Sequence, residues 1–500
     1  METTVAQLQS SMEEWVRKKF AALPTHQSHR SKVIRDPVHH FIPLEPHEVD
    51  IVDSPLLQRL RYIHQTGLAF LVYPGANHSR LEHSLGVLAV AQRMLHALET
   101  VRREKVTEEV RVHVRLAALL HDTGHVAFSH LGEDLLEELA PDLLADAEDA
   151  RVHGKSGRLS GIRVGEAVAY VIVTSEAFKD WFLNTVAREH GHTRGGFALR
   201  NVDFHLLGRM IIGRPDRSDE RWPIDIINGS FDSDKLDYII RDCHYTGVRA
   251  EIDTSRLVHS LDIVDGTEWN GSLAVKVGSV NYLEQILLAK LTLYTAIYHH
   301  HKVRTLEAMF RSIYERAPDD SPIIPHGISE ALDISEAHLL AQASSNEALG
   351  RIWNRNLLKR CLQIEKTTVT PESRPKIPLL AGSVRQRQKQ LRAKIFERLP
   401  SHNQTHLSDL WVDFPKPPDV DEEAHACPVI LSAGTVSPLS DLMPADNWVR
   451  SYVANKLKGH VFYDADIANR RAAGEAAQSV FGETFGVECV SAARTLPLKE

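Results

Sequence analysis

The chain lacks several features that would assign it at once to a common protein class. Its four cysteines, Cys243, Cys361, Cys427 and Cys489, form no CxxC pair, so the sequence predicts reduced thiols and not a disulfide framework or a thiolate zinc site. The N-terminus holds no apolar signal-peptide core, and no segment has the length of a membrane span. These absences predict a cytoplasmic protein that has no membrane partner.

A large excess of positive charge is also missing. The 500 residues include 58 Lys and Arg against 66 Asp and Glu, a formal net charge of −8, so nothing overall indicates a surface that coats nucleic acid. A local basic pocket remains compatible with this balance. The 43% of apolar residues is ordinary for a globular protein. The 28 histidines are many for this length, and their clusters indicate histidine chemistry.

Apolar residues recur at helical intervals through much of the chain, for example at Leu81, Leu85 and Leu88. The predicted fold class is mainly α: an N-terminal extension at 1–30, a helical bundle at 31–345, and a smaller α+β part at 346–500. Within the bundle, residues 50–67 are expected to form one helix that ends near Gly67. In the C-terminal part we expect a basic helix within 370–394, short strands around proline turns, and a helix at 447–458.

The stretch LLHDTGHVAFSH, residues 119–130, contains the first chemical signal. His121 and Asp122 directly follow an apolar helical run, and imidazole nitrogen with carboxylate oxygen suits a divalent ion. Neighbours on an ideal helix point about 100° apart, but Gly124 can end the helix and let both side chains face one ion. Two adjacent residues alone are a weak signal, because the dipeptide is frequent by chance.

Two other stretches offer further ligands. HSRLEHSLG places His83 early on a helix whose other face is apolar. DSDKLDYIIRD places Asp234, Tyr238 and Asp242 on one polar stripe, with Lys235 beside it. The order of histidine, histidine-aspartate and aspartate in these surroundings is far more specific than the dipeptide.

This order is the metal motif of HD domains, and the chain resembles the dNTP triphosphohydrolase branch of that superfamily, which includes enzymes with a sterile-alpha-motif domain and bacterial dGTPase-like relatives. The matching stretches include KVIRDPVHHFI, YPGANHSRLEHSLGV, LLHDTGHVAFSH, DKLDYIIRDCHYTGV and YHHHKVRTLEAMF, and they run from residue 32 to about 310. Asp232 and Asp237 compete with Asp234 for the last ligand position, but only Asp234 precedes the lysine as the family motif requires. The resemblance implies the metal ligands His83, His121, Asp122 and Asp234.

The resemblance further implies the reaction of dNTP and water to deoxynucleoside and triphosphate, with Fe, Mn or Zn at the HD site and Mg on the nucleotide phosphates. His125, His130 and Asp234 match catalytic positions, and His130 is the preferred general acid because histidine titrates near neutral pH. The alternative for both histidines is an exposed position in a loop. Arg80, Lys235 and Lys290 match phosphate-binding cations. The family usually has arginine where Lys290 stands, so the charge is kept and the bidentate fork is lost.

The substrate's sugar and base have their own matching positions. The resemblance implies that Tyr298 lies against the 2′-carbon and excludes ribonucleotides. The alternative for the run His299, His300 and His301 is that it is only an exposed helical turn. The implied contacts to the sugar and base are Gln65, Tyr238, Asp242, Tyr298 and His300.

One departure from the family concerns the helix after the HD loop, where relatives carry a histidine-glutamate pair. The counterpart here, SGIRVGEAVAYVIV, has no histidine in the aligned place. Arg163 or His153 is expected to replace it, or catalysis is weakened. Two alternatives to the triphosphohydrolase therefore stay open: an HD-type phosphodiesterase or nuclease, and a catalytically weak nucleotide-sensing regulator that acts through a protein partner.

A second nucleotide site is also implied by the resemblance. Asp53, Gln58 and Arg61, expected on one helix, match positions that read an activating guanine nucleotide, with Lys32 and Val33 as neighbours. The alternative is that these residues only hold the helix through ion pairs. Regulation would place the site between subunits of a homo-oligomer, a dimer or tetramer. The resemblance also permits a role in antiviral dNTP depletion.

Overall fold

The computed structural model describes residues 5–21, 30–139, 162–316, 325, 327–344, 346–380, 385–416, 418, 420–443, 455–464 and 466–498. The fold is mainly α with small sheets, as predicted. The chain divides into two compact units, each made of several segments of the sequence, while the domains expected at 1–30, 31–345 and 346–500 stay a prediction. The first comprises 1–290, 325–336 and 422–443, and the second comprises 291–324, 337–421 and 444–500. The chain passes between the units several times, which periodicity along the sequence does not reveal.

Three helices of the first unit determine the position of the functional residues. Arg80–Val101 begins with a capping box of Ser79 and Glu82, and it packs against Glu108–Leu120 and Ser233–Thr246. The other helices of this unit are Val5–Ala21, Pro46–Val52, Pro55–Gln58, His130–Leu139, Val164–Thr174, Glu176–Trp181, Arg188–His190, Phe204–Ile211, Arg221–Ile227, Thr254–His259, Ile328–Asp333 and Leu439–Leu442. In the described part of the chain, no helix has both the length and the apolar character that crossing a bilayer requires.

The expected single helix at 50–67 is wrong. The structure has a helix Pro46–Val52, a short helix Pro55–Gln58 and a 3-10 helix Arg59–Tyr62. Pro55 causes the break, because it has no amide hydrogen to donate, while the Ser54 side chain caps the new helix by accepting from the amide of Leu57.

Two sheets belong to the first unit. Strands Lys32–Asp36 and His40–Leu44 form an antiparallel hairpin. A four-stranded sheet has the order Leu261–Ile263, Leu273–Lys276, Pro428–Ile430, Val436–Pro438, and its two middle strands are parallel. The short strands expected around residue 430 therefore exist, but they pair within the first unit.

The second unit is built on a three-stranded antiparallel sheet. Gly459–Tyr463 lies between Lys359–Ile364 and Trp411–Asp413, and the helix Ile467–Phe485 packs on it. The expected basic helix is observed as Arg385–Glu397, whereas the helix expected at 447–458 falls largely outside the described residues. The remaining helices are Val280–Leu293, His301–Arg316, Glu336–Ala341, Glu347–Trp353, Val420–His425 and Ala492–Leu498, some of which run across the boundaries between the units.

Candidate active site

The three central helices bring the four predicted metal ligands together. His83 lies in the first turn of Arg80–Val101, and His121 with Asp122 ends Glu108–Leu120. Ligand atoms of His83, His121 and Asp122 all lie within 4.8 Å of one another. Asp234, near the start of Ser233–Thr246, places its Oδ1 2.9 Å from His83 Nε2.

The two histidines turn their Nε2 atoms to this centre. His121 Nδ1 donates to the carbonyl of Ala118 at 2.9 Å, and His83 Nδ1 donates to Asp237 Oδ2 at 2.8 Å. Each Nε2 faces a carboxylate of the centre: His83 Nε2 lies 2.9 Å from Asp234 Oδ1, and His121 Nε2 lies 3.3 Å from Asp122 Oδ1. Imidazole nitrogens held in this way, beside two carboxylates, fit a divalent transition ion.

The local charges favour a cation. Burial opposes ionisation of Asp122, but the charges of Arg80, His121 and His125 outweigh it and hold the pKa of Asp122 well below its usual value. Burial likewise opposes a charge on His83, yet Asp234, Asp237 and Asp122 raise the pKa of His83 to about 10. The same carboxylates would stabilise a metal ion placed among them.

The structure separates the three candidate aspartates of this helix by what they contact. Asp232 caps the helix by accepting from the amide of Lys235 at 2.7 Å. Asp237 is fully buried and binds His83, His39 and Arg241. Only Asp234 faces the Nε2 atom of His83. Sequence reasoning missed the role of Asp237, because nothing in the sequence pairs it with a histidine 154 residues away.

His125 and His130 lie on the other side of Asp122. His125 Nε2 is 3.0 Å from Asp122 Oδ1, and its Nδ1 is in contact with Glu133. Burial opposes protonation of His125, but Glu133 and Asp122 outweigh it and raise its pKa. His130, whose side chain is 58% exposed, places Nδ1 3.3 Å from Glu133 Oε2. Glu133 was missed as a site residue, although its spacing of three from His130 was a usable signal.

The turn between these histidines has an unusual backbone. Phe128 and Ser129 have φ values of 61° and 55°, in the left-handed region that non-glycine residues rarely adopt. Such residues cost about 1–3 kcal/mol each and persist only where their surroundings hold them. The Ser129 hydroxyl donates to the carbonyl of His64 at 2.7 Å and accepts from Arg80 Nε at 2.8 Å.

The three predicted phosphate-binding cations are each paired. Arg80 donates to Asp122 Oδ2 at 2.8 Å, but its buried Nη2 has no partner within the described residues. Lys235 donates to Asp232 Oδ2 at 2.5 Å. Lys290 donates to Glu423 Oε1 at 2.5 Å, and burial lowers the pKa of Lys290, with Lys235 and Arg163 adding to the decrease.

The predicted sugar and base residues are divided between the units. In the first unit, Gln65 Oε1 is buried without a partner among the described residues, and Asp242 Oδ1 accepts from His78 Nε2 at 2.7 Å. Tyr238 is half-buried on the helix that carries Asp234. Tyr298 and His300 belong to the second unit, so their contacts with substrate stay predictions.

The segment that lacks the family histidine packs closely against the candidate site at Gly165. A Cβ there would lie 2.7 Å from Glu133 Oε1 and 3.0 Å from the His125 ring, so a side chain at this position would require these groups to shift. Glu166 follows Gly165 in the sequence. Burial raises the pKa of Glu166, and Asp234 and Glu133 add to the increase, so this carboxyl is near the candidate site. Arg163 occupies the N-cap position of the same helix without a capping hydrogen bond from its side chain, and His153 lies outside the described residues.

The residues of the implied second nucleotide site contact one another at the surface. Lys32 Nζ lies 2.7 Å from Asp53 Oδ2, with both side chains about half exposed, and Arg61 donates to Gln58 Oε1 at 3.2 Å. Val33 is 65% exposed. Because the helix is broken at Pro55, Asp53 and Arg61 do not lie on one helix as expected.

Family models match most of the region that carries these residues. Residues 80–212 match the HD domain, which includes His83, His121 and Asp122, and residues 252–482 match the HD associated region. The helical fold and the histidine-aspartate centre thus define an HD-domain protein.

Several individual proteins are similar to this chain in sequence. An uncharacterised protein of Methanocaldococcus jannaschii is 29% identical over 345 residues, 68% of this chain and 61% of that protein. Human deoxynucleoside triphosphate triphosphohydrolase SAMHD1 is 28% identical over 330 residues, 61% of this chain and 49% of that protein. Its Dictyostelium discoideum homologue is 25% identical over 343 residues, 66% of this chain and 60% of that protein. The matches therefore span about half to three fifths of the relatives' lengths.

A solved structure of a hypothetical protein from Aquifex aeolicus shares the fold. It covers 89% of this chain and 100% of its own, with a TM-score of 0.62 and 22% identity. This likeness concerns the fold alone. The family models and the relatives show that the chain belongs to the HD-domain family that includes the dNTP triphosphohydrolases.

Proposed function

We propose that the protein is a metal-dependent deoxynucleoside triphosphate triphosphohydrolase, which converts dNTP and water to deoxynucleoside and triphosphate. The observation that carries the proposal is the convergence of the imidazole Nε2 atoms of His83 and His121 with the carboxylates of Asp122 and Asp234. A resident Fe, Mn or Zn ion held by these four residues would supply Lewis acidity for the attack of water at the α-phosphorus.

The cations around this centre would hold the triphosphate. Arg80 keeps a free buried N–H group at Nη2 beside Asp122, which suits a charge-assisted hydrogen bond to a phosphate oxygen. Lys235 and Lys290 both lie in the field of Glu423, which acts to raise the pKa of each, and the charge of Lys235 opposes this effect at Lys290 by lowering its pKa. A nucleotide with Mg on its phosphates would bind these side chains through its β- and γ-phosphates.

The leaving 5′-oxygen needs a proton. His130 is the proposed donor, because its exposed ring turns Nδ1 to Glu133 and leaves Nε2 for the substrate. His125, buried between Asp122 and Glu133, would hold the Glu133 carboxylate in place beside His130. The sugar and base contacts that the resemblance implies are Gln65, Tyr238, Asp242, Tyr298 and His300, and the Tyr298 ring would exclude a 2′-hydroxyl.

One observation favours a second candidate function. Because the helix after the HD loop has no histidine where the family motif has one, the site could bind nucleotides and turn them over weakly, as a cytoplasmic sensor that acts through a protein partner. The proposal of a triphosphohydrolase also includes regulation: the enzyme would be a homo-oligomer that an activating nucleotide binds at Asp53, Gln58 and Arg61. It further includes a role in antiviral dNTP depletion.

The test is to incubate the metal-loaded protein with each dNTP and NTP and to separate the products by chromatography. We expect deoxynucleoside and triphosphate in equal amounts, and poor turnover of ribonucleotides. The double variant His121→Ala, Asp122→Ala should lose both the ion and hydrolysis while its circular dichroism stays helical. Pyrophosphate or orthophosphate as the first product would contradict the mechanism, cleavage of oligonucleotides alone would favour a nuclease, and binding without products would favour the sensor.

A further inference from the structure

Glu336 is a buried carboxylate that joins two distant segments of the candidate site. It begins the helix Glu336–Ala341 and is 2% exposed. Its Oε1 accepts the amide hydrogens of Phe128 at 2.8 Å and of His64 at 3.0 Å, and its Oε2 contacts the ring Nδ1 of His64. One side chain therefore satisfies two backbone donors and an imidazole that lie 208 and 272 residues away in sequence.

The Phe128 amide belongs to the turn that connects His125 to His130. Phe128 and Ser129 hold positive φ values that their own side chains do not favour, so neighbouring groups must hold this turn in place. The Glu336 carboxylate is the acceptor for the first of these two amides. If it were absent, the Phe128 N–H would be buried without a partner and the turn could relax.

A continuous path leads from Glu336 to the phosphate-binding arginine. Glu336 holds the amide and ring of His64, and the His64 carbonyl accepts from the Ser129 hydroxyl at 2.7 Å. The Ser129 hydroxyl in turn accepts from Arg80 Nε at 2.8 Å. Glu336 is thus connected to the histidine turn directly and to Arg80 through Ser129, whereas it contacts none of the four proposed metal ligands in these hydrogen bonds.

We propose that Glu336 is a positioning residue of this site: it fixes the turn at Phe128 and Ser129 so that His125, His130 and Arg80 keep the geometry that the reaction requires. The expected effect of Glu336 on kcat rests on the proposed function. Its expected effect on the order of the turn at Phe128 and Ser129 does not depend on that function. Small displacements of reacting groups have large effects on rate, so the turn's geometry matters even when the metal ligands are intact.

The test compares Glu336→Ala with Glu336→Gln, and with Glu330→Ala as a control that alters an exposed carboxylate on the same segment. Glutamine keeps an oxygen acceptor for both amides, whereas alanine removes it. In Glu336→Ala we expect kcat to fall by about 10- to 100-fold, with KM changed less and with metal content retained. Glu336→Gln should recover most of kcat, and Glu330→Ala should match the unaltered protein.

Hydrogen–deuterium exchange supplies a readout that does not depend on turnover. Peptides that cover residues 121–130 should exchange faster in Glu336→Ala than in Glu336→Gln or Glu330→Ala. If the unaltered protein hydrolyses no dNTP, the proposed function fails while the exchange result still decides the role of Glu336. Unchanged protection of this turn in Glu336→Ala would overturn the proposal, and so would an unchanged kcat per folded molecule together with a lower melting temperature.

Discussion

Asp237 allows metal binding to be separated from fold stability. Its Oδ2 accepts from His83 Nδ1 and from Arg241 Nε, both at 2.8 Å, and its Oδ1 accepts from His39 Nε2 at 2.5 Å. A carboxylate behind a ligating histidine fixes the tautomer and raises the basicity of the nitrogen that faces the ion. Asp237→Asn keeps the shape but removes the charge, so we expect the affinity for the divalent ion to fall about 10- to 100-fold, or about 1.4–2.7 kcal/mol.

Asp36 provides the matched control. It binds the same buried guanidinium, with Oδ2 2.9 Å from Arg241 Nη1, but its other hydrogen bonds go to the amides of Val38 and His39 and not to His83. Asp36→Asn should therefore destabilise the fold as Asp237→Asn does, since each weakens a buried ion pair worth up to about 3–5 kcal/mol when broken. Only Asp237→Asn should weaken the metal site.

The assay is competition for Mn²⁺ between each folded variant and a chelator of known affinity, with melting temperatures measured in parallel. The reasoning would be refuted if Asp237→Asn bound the ion as tightly as the unaltered protein does. It would be refuted equally if Asp36→Asn lost as much affinity as Asp237→Asn, because the effect would then come from the ion pair and not from His83.

Two further predictions concern other buried charges. Glu423 binds the buried Lys290 ammonium that the proposed phosphates would need. Glu423→Gln should therefore tighten the binding of inorganic tripolyphosphate roughly tenfold, or about 1.4 kcal/mol, in a calorimetric titration, whereas Lys290→Ala should weaken it. Weaker binding by Glu423→Gln would contradict this, because the carboxylate would then only support the lysine. Burial raises the pKa of Asp225 to about 7, so the folded chain keeps a proton that the unfolded chain loses from about pH 4 upward, and stability falls as pH rises from 4 to 7. Asp225→Asn should remove this loss, worth at most about 4 kcal/mol, which urea unfolding at pH 5 and pH 8 would detect; an equal effect of the substitution at both pH values would contradict it.

The sequence was most informative where chemistry depends on local order. His83, His121, Asp122 and Asp234 could be predicted as metal ligands because apolar periodicity places them on helices and the resemblance to the HD motif gives their order. Contacts between distant segments could not be found in this way. The partners Asp237 for His83, Glu336 for Phe128 and Glu423 for Lys290 are set by helix packing and chain crossing, which leave no periodic trace.

Some features were visible in the sequence and were still missed. Pro55 after Ser54 is an ordinary helix start, yet the apolar spacing of the surrounding residues favoured one long helix. The strands after Cys427 were predicted, but their pairing with Leu273–Lys276 was not, because a parallel partner can lie anywhere along the chain. The segment around Gly165 shows the reverse case: the missing histidine was evident in the sequence, whereas the close packing of Gly165 against Glu133 and His125 was not.

The central claim is that water attacks the α-phosphorus of a deoxynucleoside triphosphate held beside His121 and Asp122. Hydrolysis in water enriched in ¹⁸O, followed by mass spectrometry of both products, tests it most directly. The account predicts that one ¹⁸O atom appears in the triphosphate and none in the deoxynucleoside, because the bond broken is that between the α-phosphorus and the 5′-oxygen. Label in the deoxynucleoside, or label in a released orthophosphate or pyrophosphate, would contradict it.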